Sequence, residues 1–289
     1  MKQRITENER LLIDGGMGTM LQEAGLPAGY APDLWNIERP DTVRRIHEAY
    51  LAAGAQTITT NTFGSNAERL KKAAHTPAET AAAGVRLARA AADAAEGGPR
   101  YVALDVGPLG VFLEPYDEMT EEEATALFAE AIRAGAAEGP DCILIETMCA
   151  VNEARAAVTA AKRFGEGLPV FCTTSFNENG RLLTGETVEA AVEALTDAGA
   201  DAVGCNCGVG PDALILLAPR FTACTKLPLI MSPNAGLPVY RDGKTCYDVG
   251  PEAFAADMAA LLDLGVWAVG GCCGTTPAHI RAMHTRCFQ

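Results

Sequence analysis

Eight repeats of a short apolar run followed by an alanine-rich helical stretch, within 289 residues, predict a (β/α)8 TIM barrel. No Gly-x-Gly-x-x-Gly turn follows any of the runs, which weighs against the alternative, a doubly wound open sheet. No linker or low-complexity segment divides the chain, so residues 1–289 are expected to form one domain.

The first strand is read at 11–14, where Leu11-Leu12-Ile13 ends on Asp14 and runs into Gly15-Gly16-Met17-Gly18-Thr19. A helix at 41–53 and a strand at 56–60 follow, the strand leading into Asn61-Thr62-Phe63-Gly64. Residues 77–94 read as the second helix and 101–105 as the third strand, which ends on Asp105 before Gly107-Pro108. Thr120-Glu121-Glu122-Glu123 has the form of a capping box and opens the third helix. The remaining pairs are read at 142–146 and 151–163, 169–175 and 187–198, 202–205 and 211–218, 229–232 and 251–264, and 266–269 with a helix from Pro277. Thr276 suits the cap of that last helix and Pro277 its first turn. Three longer inserts, 21–40, 109–119 and 237–249, are expected as rim loops over the C-terminal face.

Hydrophobic residues make up 48% and charged residues 21% of the chain, as in soluble globular proteins. The formal net charge of −14 argues against a nucleic-acid surface. Residues 1–10 are polar with no apolar signal core, and no run approaches the ~18 residues of a membrane span. A cytoplasmic location without membrane association is therefore expected. Ten cysteines without a secretion signal point to reduced thiols, some of them metal-bound, rather than to a disulfide framework.

Barrel chemistry sits at the C-terminal ends of the strands. Those ends carry Asp14, Asn61, Asp105, Glu146, Ser175, Cys207, Asn234, Cys272 and Cys273. The histidines, His47, His75, His279 and His284, fall on helices or connections and are expected to be solvated or at helix ends. Gly204-Cys205-Asn206-Cys207-Gly208 closes strand six, and Gly270-Gly271-Cys272-Cys273-Gly274 closes strand eight. Cys207, Cys272 and Cys273 thus converge above strand seven, with Cys205 open as a fourth thiol and a Cys272–Cys273 vicinal disulfide as a further alternative. Cys142, Cys149, Cys172, Cys224, Cys246 and Cys287 are taken as packing or incidental.

Three thiolates suit zinc and leave its fourth position open. Asn234 is a candidate for that position through its side-chain oxygen; otherwise it caps the loop through Gly236 and water fills the site. Such a metal holds a substrate thiol as a nucleophilic thiolate, so attack on an electrophilic carbon is the expected reaction. Asp14 and Glu146 suit an ammonium group, and the amides of Gly15, Gly16 and their neighbours to Gly18 suit a carboxylate. The expected ligand is an amino acid carrying a thiol, with Asn61, Asp105 and Ser175 as further contacts.

Together, Asp14-Gly15-Gly16-Met17-Gly18-Thr19, Thr60-Asn61-Thr62-Phe63-Gly64, Gly107-Pro108, Glu146-Thr147, Asn206-Cys207, Pro233-Asn234-Ala235-Gly236 and Gly270-Gly271-Cys272-Cys273-Gly274-Thr275-Thr276-Pro277 resemble the homocysteine S-methyltransferase family over nearly the whole chain. The last motif with Asn206-Cys207 is the most specific. The resemblance implies zinc on Cys207, Cys272 and Cys273, L-homocysteine as methyl acceptor, and Asp14 and Glu146 as holders of the amino acid. Within the family, the first two motifs are more similar to the homocysteine module of cobalamin-dependent methionine synthases than to betaine- or S-methylmethionine-using members. That implies methylcobalamin as donor, presented by a corrinoid-carrying module or protein, since the chain stops shortly after its eighth unit. A betaine- or S-methylmethionine-type transferase, and a module that binds a thiol amino acid without turnover, are the alternatives. A thiol–disulfide redox protein would want a Cys-x-x-Cys at a helix start.

Overall fold

The computed structural model describes residues 1, 7, 9–241 and 244–289. Residues 2–6 and 8 of the polar N-terminal stretch and 242–243 of the third insert lie outside the described residues. In chain order the elements begin with β1 (Leu11–Leu12), α1 (Met17–Glu23), a 3-10 turn (Pro32–Leu34), α2 (Trp35–Glu38), α3 (Pro40–Ala52) and β2 (Thr57–Thr59). They continue with α4 (Pro77–Ala94), β3 (Tyr101–Val106), α5 (Glu121–Ala136), β4 (Cys142–Met148), α6 (Val151–Phe164), β5 (Val170–Thr174) and α7 (Val188–Asp197). The last third holds β6 (Ala202–Asn206), α8 (Pro211–Cys224), β7 (Leu229–Ser232), the hairpin of β8 (Val239–Arg241) and β9 (Lys244–Cys246), α9 (Pro251–Asp263), β10 (Ala268–Val269) and α10 (Pro277–Cys287).

Eight strands pair in parallel in the order β1-β10-β7-β6-β5-β4-β3-β2. The seam between β1 and β2 is closed by a parallel bridge between Ile13 and Thr57. Around it, the Gln56 amide donates to Leu12 O at 2.8 Å and the Asp14 amide to Thr57 O at 3.0 Å. The sheet is therefore the expected closed (β/α)8 barrel, and among the described residues no helix is long and apolar enough to cross a membrane.

Alternation along the strands sorts side chains into two layers. Leu11, Ile13, Ala103, Cys142, Leu144, Phe171, Ala202, Ile230, Trp267 and Ala268 fill the barrel interior. Leu12, Ile58, Leu104, Ile145, Cys172, Val203, Cys205, Met231 and Val269 pack outward against the helices. The interior parity continued to the strand tops reaches Thr59, Asp105, Glu146, Thr173, Asn206 and Ser232. The interior is apolar below and polar at its C-terminal mouth, and this layering makes the mouth the place for chemistry.

Capping follows the sequence. Thr120 and Glu123 exchange hydrogen bonds at 3.3 and 2.8 Å ahead of α5, and Thr76 with Glu79 does the same ahead of α4. The last helix is capped differently: the Thr276 amide donates to His279 Nδ1 at 3.2 Å, so the ring's Nε2 donates to Val249 O at 3.0 Å.

Three readings need correction. The 21–40 insert is not a bare loop but contains α2 and the 3-10 turn. The helix expected at 211–218 runs to Cys224 with Pro219 inside it, because burial of Leu214, Leu217, Ala218 and Phe221 on the core outweighs the one backbone hydrogen bond a proline removes. His47 is not solvated: it is fully buried, both ring nitrogens lack a partner among the described residues, and burial pushes its imidazole down to about 4.

Glu153, near the start of α6, pins the second insert by accepting the Leu109 amide at 2.7 Å. Burial pushes this carboxyl up to about 7. An acid with a folded pKa above its unfolded one, about 4.3, binds its proton more tightly when folded, so it lowers stability as pH rises between those values. Glu153→Gln keeps an oxygen for Leu109 and removes the ionisation. In urea denaturation at pH 4.5 and 7.5, the wild type should lose about 2–3 kcal/mol more than the variant across that interval.

Candidate metal centre and active site

The three thiols predicted to converge do so. The sulfurs of Cys207, Cys272 and Cys273 lie within 4.8 Å of one another, and all are free thiols, with 4.0 Å between the sulfurs of Cys272 and Cys273. Cys205 is excluded from the cluster, because its side chain lies in the layer between sheet and helices.

The convergence is a backbone construction centred on the end of β7. The Cys207 amide donates to Ser232 O at 3.1 Å, and the Asn234 amide donates to Val209 O at 3.2 Å. On the other flank, the Cys272 amide donates to Pro233 O at 2.8 Å and the Ala235 amide to Cys273 O at 2.9 Å. Cys207 turns at φ +55° and Gly208 at φ +65°. A left-handed cysteine is uncommon, and here it swings the thiol over the strand end toward β10. Gly208 has no room for a side chain, since a Cβ would fall 2.7 Å from Ser175 Oγ and Phe176 O. Ser175 thus lies under the Cys207 turn.

Asn206 is the polar hub that sequence reading passed over. Its Oδ1 accepts from the Thr147 amide at 2.8 Å and from Thr173 Oγ1 at 2.7 Å. Its Nδ2 donates to Thr147 Oγ1 at 2.8 Å, Glu146 Oε2 at 3.4 Å and Cys272 Sγ at 3.9 Å. Glu146 is aimed by a β-bulge: β4 and β5 lose register between Ile145 and Met148, and Thr147 sits at φ +62°.

The thiols share their charge unevenly. Hydrogen bonds from Cys272 and Cys273, helped by the Gly208 amide and the Asn234 side chain, hold Cys207 down at about 3. Cys272 and Cys273 are pushed up, each first by its hydrogen bond to Cys207. The Tyr247 phenol, whose ring packs against Gly274 beside the thiols, is raised by burial and then by the charge on Cys273. Asn234 Oδ1 accepts the Cys273 amide at 3.1 Å while its own amide donates to Val209 O, so this residue joins the two cysteine loops.

Among the described residues, the acids at the mouth have no cation beside them to offset their mutual repulsion. Asp14 and Asp105 are raised well above the usual carboxylate range, first by burial and then by Glu146. Glu146 is pushed up to about 7 by burial and then by Cys207. Asp14 also closes the barrel, taking the Thr59 amide at 2.9 Å and Thr59 Oγ1 at 3.0 Å. Asp105 Oδ1 is buried without a hydrogen-bond partner among the described residues.

Two expected contacts are otherwise occupied. Asn61 spends both amide hydrogens on the rim, to Pro32 O at 2.8 Å and Asn36 Oδ1 at 3.0 Å. Gly16 N–H donates to Thr275 Oγ1 at 3.0 Å, which ties the 15–18 loop to the cysteine loop rather than to a ligand. A side chain at Gly15 would meet Thr275 Oγ1 at 2.7 Å, so both glycines serve a close approach of two loops. In that loop Met17 and Gly18 present first-turn amides with no intrahelical acceptor.

Comparison with known proteins agrees with this geometry. The family model described as homocysteine S-methyltransferase matches residues 11–287. Methionine synthases of Mycobacterium tuberculosis and Mycobacterium leprae are 33% and 32% identical over 95% and 94% of this chain, which spans 24% of the length of each. The metallated form of the homocysteine methyltransferase MmuM from Escherichia coli shares the fold, with a TM-score of 0.82 at 24% identity over 99% of both chains. With the thiol triad, the acidic mouth and the family match in agreement, the chain belongs to the homocysteine S-methyltransferase family.

Proposed function

We propose that this chain methylates the sulfur of L-homocysteine to give methionine, with a zinc ion held by Cys207, Cys272 and Cys273. The observation that carries the reading is the thiol triad beside an acid cluster that, among the described residues, has no cation of its own. Ligands on tetrahedral zinc at about 2.3 Å stand about 3.8 Å apart. Sulfurs 4.0 Å apart in Cys272 and Cys273, and all within 4.8 Å, fit that set after a small contraction. Zinc, when bound, supplies a position where a thiol persists as a nucleophilic thiolate at neutral pH.

The chain's own residues do the rest. Glu146 and Asp14 hold the ammonium, whose positive charge restores the ionised carboxylates that burial and mutual repulsion oppose. Asp105, with its unpartnered oxygen, extends that acidic wall. The Met17 and Gly18 amides take the carboxylate. Asn206 keeps Glu146 and Cys272 in mutual register. Asn234, bonded to both cysteine loops, retains an Oδ1 lone pair with which it would fill the fourth position until the substrate sulfur takes it. Ser175 supports the Cys207 turn from below.

Methylcobalamin, carried by a separate corrinoid module or protein, is the donor we favour. Support comes from the methionine synthase relatives, of which this chain spans about a quarter.

Three outcomes test this. The chain should carry one zinc by mass spectrometry of the eluted metal, and serine at Cys207, Cys272 or Cys273 should abolish methionine formation and weaken zinc retention; full zinc and turnover in all three variants overturns the site. Methionine should form from homocysteine and free methylcobalamin but not from betaine or S-methylmethionine, and turnover with either of the latter overturns the donor. Binding without turnover for any donor would make the chain a binding module. Glu146→Gln should weaken homocysteine binding by about 2–5 kcal/mol in calorimetry and leave an amine-free thiol nearly unaffected. Equal losses for both thiols would reject the ammonium role.

A further inference from the structure

The loops after the first and last barrel strands are laced together across the seam. The Gly271 amide donates to Asp14 O at 2.9 Å, and the Gly274 amide donates to Thr19 Oγ1 at 2.9 Å. Between these ties sits Thr275, which is fully buried. Its Oγ1 accepts the Gly16 amide at 3.0 Å and donates to Cys272 O at 2.7 Å, so one hydroxyl bridges the two loops. Tyr50 backs the joint. Its phenol lies 3.3 Å from Gly16 O and 3.2 Å from Thr275 O and shares a single proton between them. The joint is tight: a Cβ on Gly15 would fall 2.7 Å from Thr275 Oγ1, and one on Gly16 would fall 2.7 Å from Cys272 O.

The two loops carry opposite ends of one site. The last loop holds two of the three clustered sulfurs, and the first begins at Asp14, one of the two acids assigned to the ammonium. A ligand held at both ends is measured by the gap between them. Homocysteine and cysteine present the same ammonium, carboxylate and thiol and differ by one methylene. A gap of fixed length therefore fits one of them and leaves the other out of reach of one end.

We propose that Thr275 is a positioning residue that fixes this gap and thereby sets the preference for homocysteine over cysteine. The role rests on the reading of the thiols and the acids as the two ends of a homocysteine site. Thr275 acts through the backbone of Gly16 and Cys272 and not on the ligand. Without its hydroxyl, a buried amide and a buried carbonyl lose their partner, and the loops separate to regain hydrogen bonds.

The test measures binding of L-homocysteine, L-cysteine and 1-propanethiol to the zinc-loaded chain by calorimetry, with zinc content followed by mass spectrometry of the eluted metal. The wild type should favour homocysteine over cysteine on the order of 100-fold, within the range for one methylene. Thr275→Val keeps the shape and removes the hydroxyl. It should retain its zinc, bind propanethiol as the wild type does, and favour homocysteine only roughly tenfold. Thr275→Ser keeps the hydroxyl and should restore the wild-type preference. An unchanged preference in Thr275→Val overturns the proposal. So does an equal loss for all three thiols, which places the effect on the metal or the fold, and so does a serine variant that behaves as valine. Should Thr275→Val fail to fold, Tyr50→Phe removes only the backing hydroxyl and should narrow the preference in the same direction; an unchanged ratio there overturns the proposal. A wild-type chain that holds no zinc or binds neither amino acid overturns the homocysteine reading itself, an outcome distinct from any result confined to the variants.

Discussion

The end of β7 is the constraint on which the site depends. A short stretch, Ser232 to Ala235, is bonded on one side to the turn bearing Cys207 and on the other to the loop bearing Cys272 and Cys273. These are backbone hydrogen bonds between groups that folding must in any case satisfy. The separation of the thiols is thus set by the sheet spacing and not by flexible side chains. Glycine at 204 tightens this region further: a Cβ there would overlap Ile230 O at 1.8 Å, so β6 approaches β7 more closely than a larger residue allows.

Around that spine the molecule tolerates local cost. Cys207 and Thr147 occupy the left-handed region, and three carboxyl groups share a buried mouth. Each cost sits next to a compensation. Asn206 satisfies the displaced Thr147 amide and Thr59 both donors on Asp14. What stays uncompensated among the described residues is the repulsion of the three carboxyl groups, and it faces the mouth, where the ammonium of the proposed substrate would supply the missing partner. Strain and unbalanced charge gather there because the apolar lower barrel supplies the stability that holds them.

The barrel was legible because its signal is repetitive: eight apolar runs, each followed by a helical stretch, leave little freedom in the architecture. The cysteines were legible because glycines flank them at strand ends. Asp14, Asp105 and Glu146 could be placed by the same rule, since the last inward residue of a barrel strand faces the mouth. No local signal marks Tyr247, whose ring reaches the cysteine loop at Gly274 only through the fold of a long connection. None marks the bulge at Thr147, which depends on pairing with β5. Asn206 had a signal, its place beside Cys207, but nothing local shows that an asparagine there would bind three strands. Asn61 shows a related limit: its strand-end position follows from the sequence, but the engagement of its amide hydrogens by the rim loop packed above it does not.

The seam of the barrel also has a temporal meaning. Cys207 belongs to the sixth unit and the other two thiols to the eighth, and closure joins β10 to β1, strands far apart in the chain. A nascent chain that has emerged only through its seventh unit owns one thiol of the triad and an open sheet edge. It has no three-sulfur site to trap a cation, and its long-range pairings are still unmade. Assembly of the three-thiol cluster and circularisation of the sheet thus both wait for the same last unit in biosynthesis.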